Sequence, residues 1–356
     1  MENLDTSSKD VNNQVSHPAT MRTIRFHDYG EPAEVLRMEQ VAVPDPGPGH
    51  IRVTVRACGL NPVDWALCKG LFPGKLPRGI GLELSGIVDA VGEDVTDVVI
   101  GDAVLGTTDF VGVPIAGASD RAIIDHWVRI PAGLEFVQAA ALPMAVTIAY
   151  NHLKALGVKS GHTLLVHGAG TMMGFAAVQI ALMRGAGVIA TAGNTYADRL
   201  RSMGATVTSY GDGMVERVIE LARQPVDLVL DTAPVSGIIP DLIRIAGGDP
   251  RRVLTISDFA AAAELGVRAS TGEEQTLRYD VLSEFAQYAA DGKFTVPVAQ
   301  TFALEDWRRA LDISQSGHAR GKLILLPACR RLMYSGTFYS ISNSTHPSHR
   351  HLSFLH

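Results

Sequence analysis

Cysteine is scarce: the chain holds three, Cys58, Cys68 and Cys329. Three widely spaced thiols exclude a disulfide scaffold and a four-cysteine zinc lobe. Runs of Lys and Arg are also missing. The 31 basic residues face 37 acidic ones for a net charge of -6, which leaves no basic face for nucleic acid. No apolar stretch reaches the roughly 18 residues that a membrane-crossing helix needs; the longest, Phe136 to Tyr150, is interrupted by Gln138 and Pro143. The first residues are polar and acidic rather than basic-then-apolar, so no secretory signal is read. These absences lead to the expectation of a cytoplasmic, reducing setting and of partners that are neither nucleic acid nor membrane. Apolar residues are plentiful, 46% against 19% charged, so a sizeable core is available. A length of 356 residues exceeds one ordinary domain and suits two.

Residues 1–20 carry almost nothing to bury and are expected to form a disordered leader. From Met21 the texture changes to short alternating runs, such as 51–56. Turn clusters at 44–49, 70–74 and 101–102 separate these runs, which indicates a barrel or sandwich up to about Pro131. After Pro143 strands alternate with helices. The pattern predicts strands at 163–167, 188–191, 206–208, 227–231 and 252–256, with helices at 175–184, 197–203, 214–222 and 238–245. That alternation implies a doubly wound parallel sheet. Beyond Leu277 come a helix, the segment 294–298, a helix over 304–314 and a last strand at 322–326. The expected division is a catalytic barrel domain (21–143 with 277–327), a nucleotide domain (144–276) and an irregular tail (328–356). His346, His349 and His351 in that tail lack fixed geometry and are not read as a metal site. Asn343-Ser344-Thr345 matches a glycosylation sequon, without a secretory context to support it.

The segment His167-Gly-Ala-Gly-Thr-Met-Met-Gly174 sits between a predicted strand and helix. Gly168 allows the tight turn, Gly170 close approach of a pyrophosphate, and Gly174 close helix–strand packing. Ala169, Thr171, Met172 and Met173 complete a loop whose helix N-terminus offers N–H groups to phosphate. NAD sites usually place an acid about 20 residues past the loop to hold the ribose 2′-OH. Here no Asp or Glu occurs between Gly168 and Ala197. A 2′-phosphate meets no repulsion, and Asn194, Thr195, Tyr196 and Arg199 are candidate donors to it, which favours NADPH. Arg199 reads equally as a solvated helix residue.

Taken together, these residues resemble the medium-chain dehydrogenase/reductase family, in its zinc-independent branch of quinone oxidoreductases and enone reductases. The resemblance spans about Met21 to Pro327. It rests on Ala57-Cys-Gly-Leu-Asn-Pro-Val-Asp-Trp65, on Gly81-Leu-Glu-Leu-Ser-Gly-Ile-Val88 with Val91-Gly92 and Gly101-Asp102, and on Ala139-Ala-Ala-Leu-Pro143 with Thr147 and Tyr150. Gly204-Ala205, Asp231-Thr232 and Gly321-Lys322 continue in order. The fold it implies is α/β plus β: a GroES-like barrel with a Rossmann doubly wound parallel-sheet domain. Thr232, Ser257 and Lys322 join the expected cofactor-binding set. Zinc-dependent members place a Cys ligand at Asn61 and a His ligand at Leu82; Leu offers no donor and Asn is a poor zinc ligand. Cys58 and Cys68 flank that position and read best as small buried apolar side chains. Related quinone reductases also carry Tyr at 66, often Tyr at 119, and Lys at 196, where this chain has Ala66, Ser119 and Tyr196.

Without a Lewis acid, alcohol oxidation loses its means of ionising the alcohol. The resemblance therefore implies NADPH-dependent hydride transfer to a small-molecule quinone or α,β-unsaturated carbonyl. Asn61 is the expected hydrogen-bond donor to the acceptor oxygen, and Thr147 is expected to orient the nicotinamide. Asp64 is read as ordering the Asn61 loop, or equally as a turn or cap acid; Trp65 as a pocket wall or a core aromatic. Two alternatives stand beside this reading. One is a biosynthetic enoyl reductase acting on a natural-product or carrier-bound chain. The other is a non-catalytic NADPH-binding structural or sensor protein. A homodimer is expected from the resemblance and from the exposed edge of the parallel sheet.

Overall fold

The computed structural model describes residues 19–109, 113–270 and 278–327. The expected tail, Cys329 and all but the last two residues of the expected leader lie outside the described residues.

Strand formation in the first half follows from side-chain alternation. In Ile51–Leu60 the apolar Ile51, Val53 and Val55 point inward while Arg52, Thr54 and Arg56 face outward, the two-residue period of a half-buried strand. The barrel strands are β1 (Thr20–Phe26), β2 (Arg37–Ala42), β3 (Ile51–Leu60), β4 (Arg78–Gly79), β5 (Glu83–Val91), β6 (Ala103–Thr107), β7 (Arg121–Ile124) and β8 (His126–Arg129). β1 starts one residue inside the expected leader, paired with β2 through Thr20 and Ala42. Between β3 and β5 lies the short helix Pro62–Cys68.

The second half runs β9 (Thr163–His167), β10 (Gly187–Thr191), β11 (Thr206–Thr208), β12 (Leu228–Asp231), β13 (Val253–Thr255) and β14 (Arg268–Ala269). All its strand pairs are parallel, in the order β11-β10-β9-β12-β13-β14. Counted from β9 that is 3-2-1-4-5-6, the Rossmann order. Leu164 and Val166 of β9 bury on one side with helices Pro143–Leu156 and Met172–Met183. Leu165 buries on the other, with helices Met214–Ala222 and Ile239–Ile245. β14 was not expected, because two residues leave no periodicity to read.

The chain returns to the barrel through β15 (Val298–Ala303) and β16 (Lys322–Leu326). β16 pairs with β3, completing the sheet order β15-β16-β3-β5-β6-β8, with β7 on β3. Phe285, Phe294 and Val296 bury in the core that holds Leu164 and Val166, a core that the barrel residues Ala57, Leu105 and Ile324 also enter. Of the segment 294–298 only Val298 joins a strand, β15, just after Pro297, which has no N–H for a ladder. The helix read over 304–314 starts as a tight turn, Leu304–Asp306, and continues as Trp307–Gln315. No described helix is long and apolar enough to cross a membrane.

Candidate active site

The first part of the site is the turn between β9 and helix Met172–Met183. Gly168 adopts φ +78°, and a Cβ there would lie 2.5 Å from Ala233 N. A Cβ on Gly174 would lie 2.5 Å from both Gly168 O and Thr232 Oγ1. At Gly170 the nearest neighbour of such an atom is the Tyr196 ring, 3.9 Å away, so the loop backbone is open on that side. Thr171 caps the helix by accepting Gly174 N–H at 3.0 Å, which starts the helix at Met172 rather than at 175. Met172 and Met173 fall in the first turn, where helix carbonyls cannot reach the N–H groups. An open glycine beside unpartnered N–H groups at a positive helix end suits a pyrophosphate.

Thr232 bonds to the carbonyls of His167 and Gly168, both at 2.9 Å, and receives Thr171 Oγ1. It ties the end of β12 to the loop, and Ser257 bonds to Ala233 O at 2.6 Å just beyond it. His167 bonds through Nδ1 to Thr191 Oγ1 at 2.8 Å, and burial pushes its imidazole down to about 4, so it is neutral at pH 7. Ala169 is fully buried.

The end of β10 holds the remaining nucleotide candidates. Asn194 and Thr195 are exposed at the start of helix Asn194–Ser202. Tyr196 is buried against Phe175, and its hydroxyl donates to Arg320 O at 2.6 Å; its one hydrogen is engaged. Arg199 lies over the Phe175 ring and donates to Thr295 Oγ1 at 3.0 Å, turned to the neighbouring helix. Two residues not singled out from the sequence stand nearby. Tyr210 is 61% exposed, its hydroxyl 3.5 Å from where a Gly193 Cβ would be. Arg320 is exposed beside Tyr196. An exposed aromatic just past a parallel strand was the available signal for Tyr210.

The second part of the site joins three distant segments. Asn61 begins helix Pro62–Cys68. Its Oδ1 accepts Lys322 Nζ at 2.6 Å, and its Nδ2 donates to Glu83 Oε1 at 2.9 Å. Lys322 and Glu83 pair directly at 2.5 Å, with side chains 2% and 0% exposed. Glu83 Oε2 accepts Met144 N–H at 2.8 Å, at the start of helix Pro143–Leu156. Lys322, expected among the cofactor ligands, therefore has its ammonium in this pair. Glu83 was missed; an acid inside Gly81-Leu-Glu-Leu-Ser, matched by a Lys opening Lys322-Leu-Ile-Leu-Leu, was the available signal.

Asp64 is fully buried and accepts Asn61 N–H at 2.8 Å and Gly81 N–H at 2.7 Å. Burial pushes its carboxyl up to about 6; the two N–H bonds and Lys322 hold that rise back, and Glu83 adds to it. Thr147 is buried, and its hydroxyl donates to Pro143 O at 2.7 Å, which leaves its oxygen free to accept. Trp65 is 4% exposed and bonds through Nε1 to Ser314. Cys58 and Cys68 are buried free thiols, both pushed up by burial, Cys68 to about 12, so they are inert as thiolates.

Comparison with known proteins fits this geometry. Residues 47–123 match the family described as alcohol dehydrogenase GroES-like domain, and residues 187–325 the one described as zinc-binding dehydrogenase. The chain is 30% identical over 329 residues to a quinone oxidoreductase of Lama guanicoe, covering 86% of this chain and 97% of that one. It is 32% identical over 311 residues to the pikromycin polyketide synthase component PikAII of Streptomyces venezuelae, 80% of this chain but 8% of that protein. The solved structure of the quinone oxidoreductase from Coxiella burnetii aligns with TM-score 0.73 at 27% identity, over 86% of this chain and 99% of that one.

Proposed function

The chain belongs to the medium-chain dehydrogenase/reductase family, in its quinone oxidoreductase branch, and on that premise we propose that it is a zinc-independent, NADPH-dependent reductase of quinones or α,β-unsaturated carbonyls. The observation that carries this reading is the Asn61 amide held between the Lys322 ammonium and the Glu83 carboxylate. The residues do not fit a zinc ion. Leu82 has no donor atom, both polar atoms of Asn61 are engaged, and an ammonium already stands 2.6 Å from Oδ1. Among the described residues, no three His, Cys, Asp or Glu gather into a metal-binding group.

The glycine turn at 168–174 would hold the pyrophosphate, and the rim of Asn194, Thr195, Tyr210 and Arg320 offers donors that suit a 2′-phosphate. When bound, the reduced nicotinamide supplies the hydride. Thr147 Oγ1 keeps lone pairs that orient a carboxamide. The second Nδ2 hydrogen of Asn61 donates to the acceptor oxygen as negative charge grows there. Asp64 fixes the Asn61 backbone through its N–H. We extend the reading to a homodimer, since β14 ends the parallel sheet with an unpaired edge among the described residues. A monomer mass in solution refutes that extension.

The test is oxidation of NADPH and of NADH, side by side, with a panel of quinones and enones. NADPH is expected to be preferred, and ethanol-like alcohols are expected not to be oxidised. Asn61→Ala is expected to lower kcat about 100-fold; unchanged turnover removes Asn61 from the mechanism. The similarity to a polyketide synthase segment favours a second reading, an enoyl reductase of carrier-bound chains. Faster turnover of an enoyl thioester than of any quinone would establish it.

A further inference from the structure

We propose that Lys322 and Glu83 are positioning residues that lock the Asn61 amide in a single orientation and balance the charge beside it. The inference rests on the reading above, in which Asn61 meets the acceptor oxygen.

The three side chains close a ring. Lys322 Nζ lies 2.6 Å from Asn61 Oδ1, Asn61 Nδ2 lies 2.9 Å from Glu83 Oε1, and that same oxygen lies 2.5 Å from Lys322 Nζ. An ammonium can only donate, and an ionised carboxylate can only accept. The amide atom facing Lys322 must therefore be oxygen, and the one facing Glu83 must be nitrogen. Turned over, the amide would set its hydrogens against the ammonium and its oxygen against the carboxylate, two repulsions in a setting where charge is poorly screened. An isolated asparagine has no such preference. The ring leaves one Nδ2 hydrogen uncommitted and no uncertainty about which atom carries it.

Charge balance is the second contribution. A lone carboxylate 2.9 Å from Nδ2 would oppose any negative charge growing on an acceptor bound to Asn61. The Lys322 ammonium cancels it. Glu83 in turn holds Lys322 in place and is itself fixed by Met144 N–H. Gly59 stands directly opposite Glu83 in β3, and a Cβ there would strike the carboxylate, so the backbone leaves room for the ring. Lys322 acts through Asn61 rather than on the acceptor.

The test combines a readout independent of turnover with kinetics. In protein carrying ¹⁵N-asparagine, the Asn61 Nδ2 resonances are identified by their loss in Asn61→Ala. Lys322→Met is expected to move them toward ordinary side-chain amide values and to speed exchange of their hydrogens. Lys322→Met alone leaves an unpaired buried carboxylate, so Lys322→Met with Glu83→Gln, which removes both charges, guards against unfolding. This double variant is expected to stay folded by circular dichroism and to bind NADPH within about twofold of the parent. Its kcat is expected to fall on the order of 100-fold with KM for the acceptor little changed. Unmoved resonances in Lys322→Met, or a double variant with parental kcat, overturn the proposal. So does NADPH binding weakened about tenfold or more with kcat intact at saturating cofactor, which would make Lys322 a cofactor ligand. If the resonances behave as expected but the parent reduces no quinone or enone, the lock stands and the assigned reaction falls.

Discussion

The turn at 168–174 and the pocket at Asn61 are made of different material. The turn is local and largely backbone: three glycines within seven residues, uncharged, two of them packed so closely that an added Cβ would lie 2.5 Å from a neighbouring atom. The pocket is non-local and made of side-chain charge: Asn61, Glu83 and Lys322 come from three segments and are held by an ion pair that water scarcely reaches. The first tolerates no added volume at Gly168 or Gly174, and the second tolerates no unbalanced charge. A family member can therefore keep its nucleotide turn while replacing the chemistry at the pocket, because the two obey separate constraints.

The sharpest way to break this contrast is Glu83→Ala. It strands the Lys322 ammonium in the interior and frees Met144 N–H, and is expected to cost about 3–5 kcal/mol of stability, read from urea unfolding. A loss below about 1 kcal/mol would mean that the ion pair is not held as described. Next comes a pair of substitutions within the turn. Gly174→Ala forces a Cβ against Gly168 O and Thr232 Oγ1 and is expected to lower stability by about 1–3 kcal/mol, as well as abolishing measurable NADPH binding. Gly170→Ala meets only the Tyr196 ring, at an ordinary contact distance of 3.9 Å, so its melting temperature is expected to stay with the parent while NADPH binding weakens about tenfold or more. If both lose stability equally, the division of labour within the turn is wrong.

The last expected effect is in pH response. His167, near 4 in the folded chain against 6.5 when unfolded, binds fewer protons folded than unfolded between those values. Its contribution is complete above 6.5 and is lost as pH falls toward 4. His167→Gln is expected to remove about 2 kcal/mol of the stability difference between pH 7 and pH 4.5, measured by urea midpoints. Asp64 has the opposite sign: raised from 3.8 to about 6, it favours the fold below 3.8, and that contribution is lost as pH rises through 6. His167 is thus expected to weaken the nucleotide end in acid, while Asp231 there, raised by burial to about 6, and Asp64 at the Asn61 end act in the opposite sense. Equal acid slopes in the parent and His167→Gln would contradict this account.

Much of the parallel sheet was legible because its signals are local. β9 to β13 carry enough alternation to be placed within a residue or so, and the glycine turn announces itself between them. β14 is too short to leave a pattern, and the turn over Leu304–Asp306 is indistinguishable from helix by apolar spacing alone. The pocket was half legible. Asn61 and Asp64 stood out through the resemblance of their segment, whereas Glu83 lay inside a quoted segment without attracting a role. Lys322 was counted with the cofactor residues. Each looks like a stray charge in an apolar strand; only the β3–β5 and β3–β16 pairings bring the two strays together. Arg199 and Tyr196 illustrate the converse: their type and position suited a phosphate, but Phe175, Thr295 and Arg320 are their neighbours.

The placement of Lys322 on β16 also bears on how the protein is made. Asn61 and Lys322 are 261 positions apart, so a growing polypeptide presents the Asn61 segment and the acid of β5 long before the ribosome delivers their counter-ion. The parallel strands, complete by β14, are able to consolidate before that counter-ion arrives. The barrel meanwhile stays electrostatically unfinished until its closing strand is threaded beside β3, which makes that docking event the step at which a competent pocket comes into being.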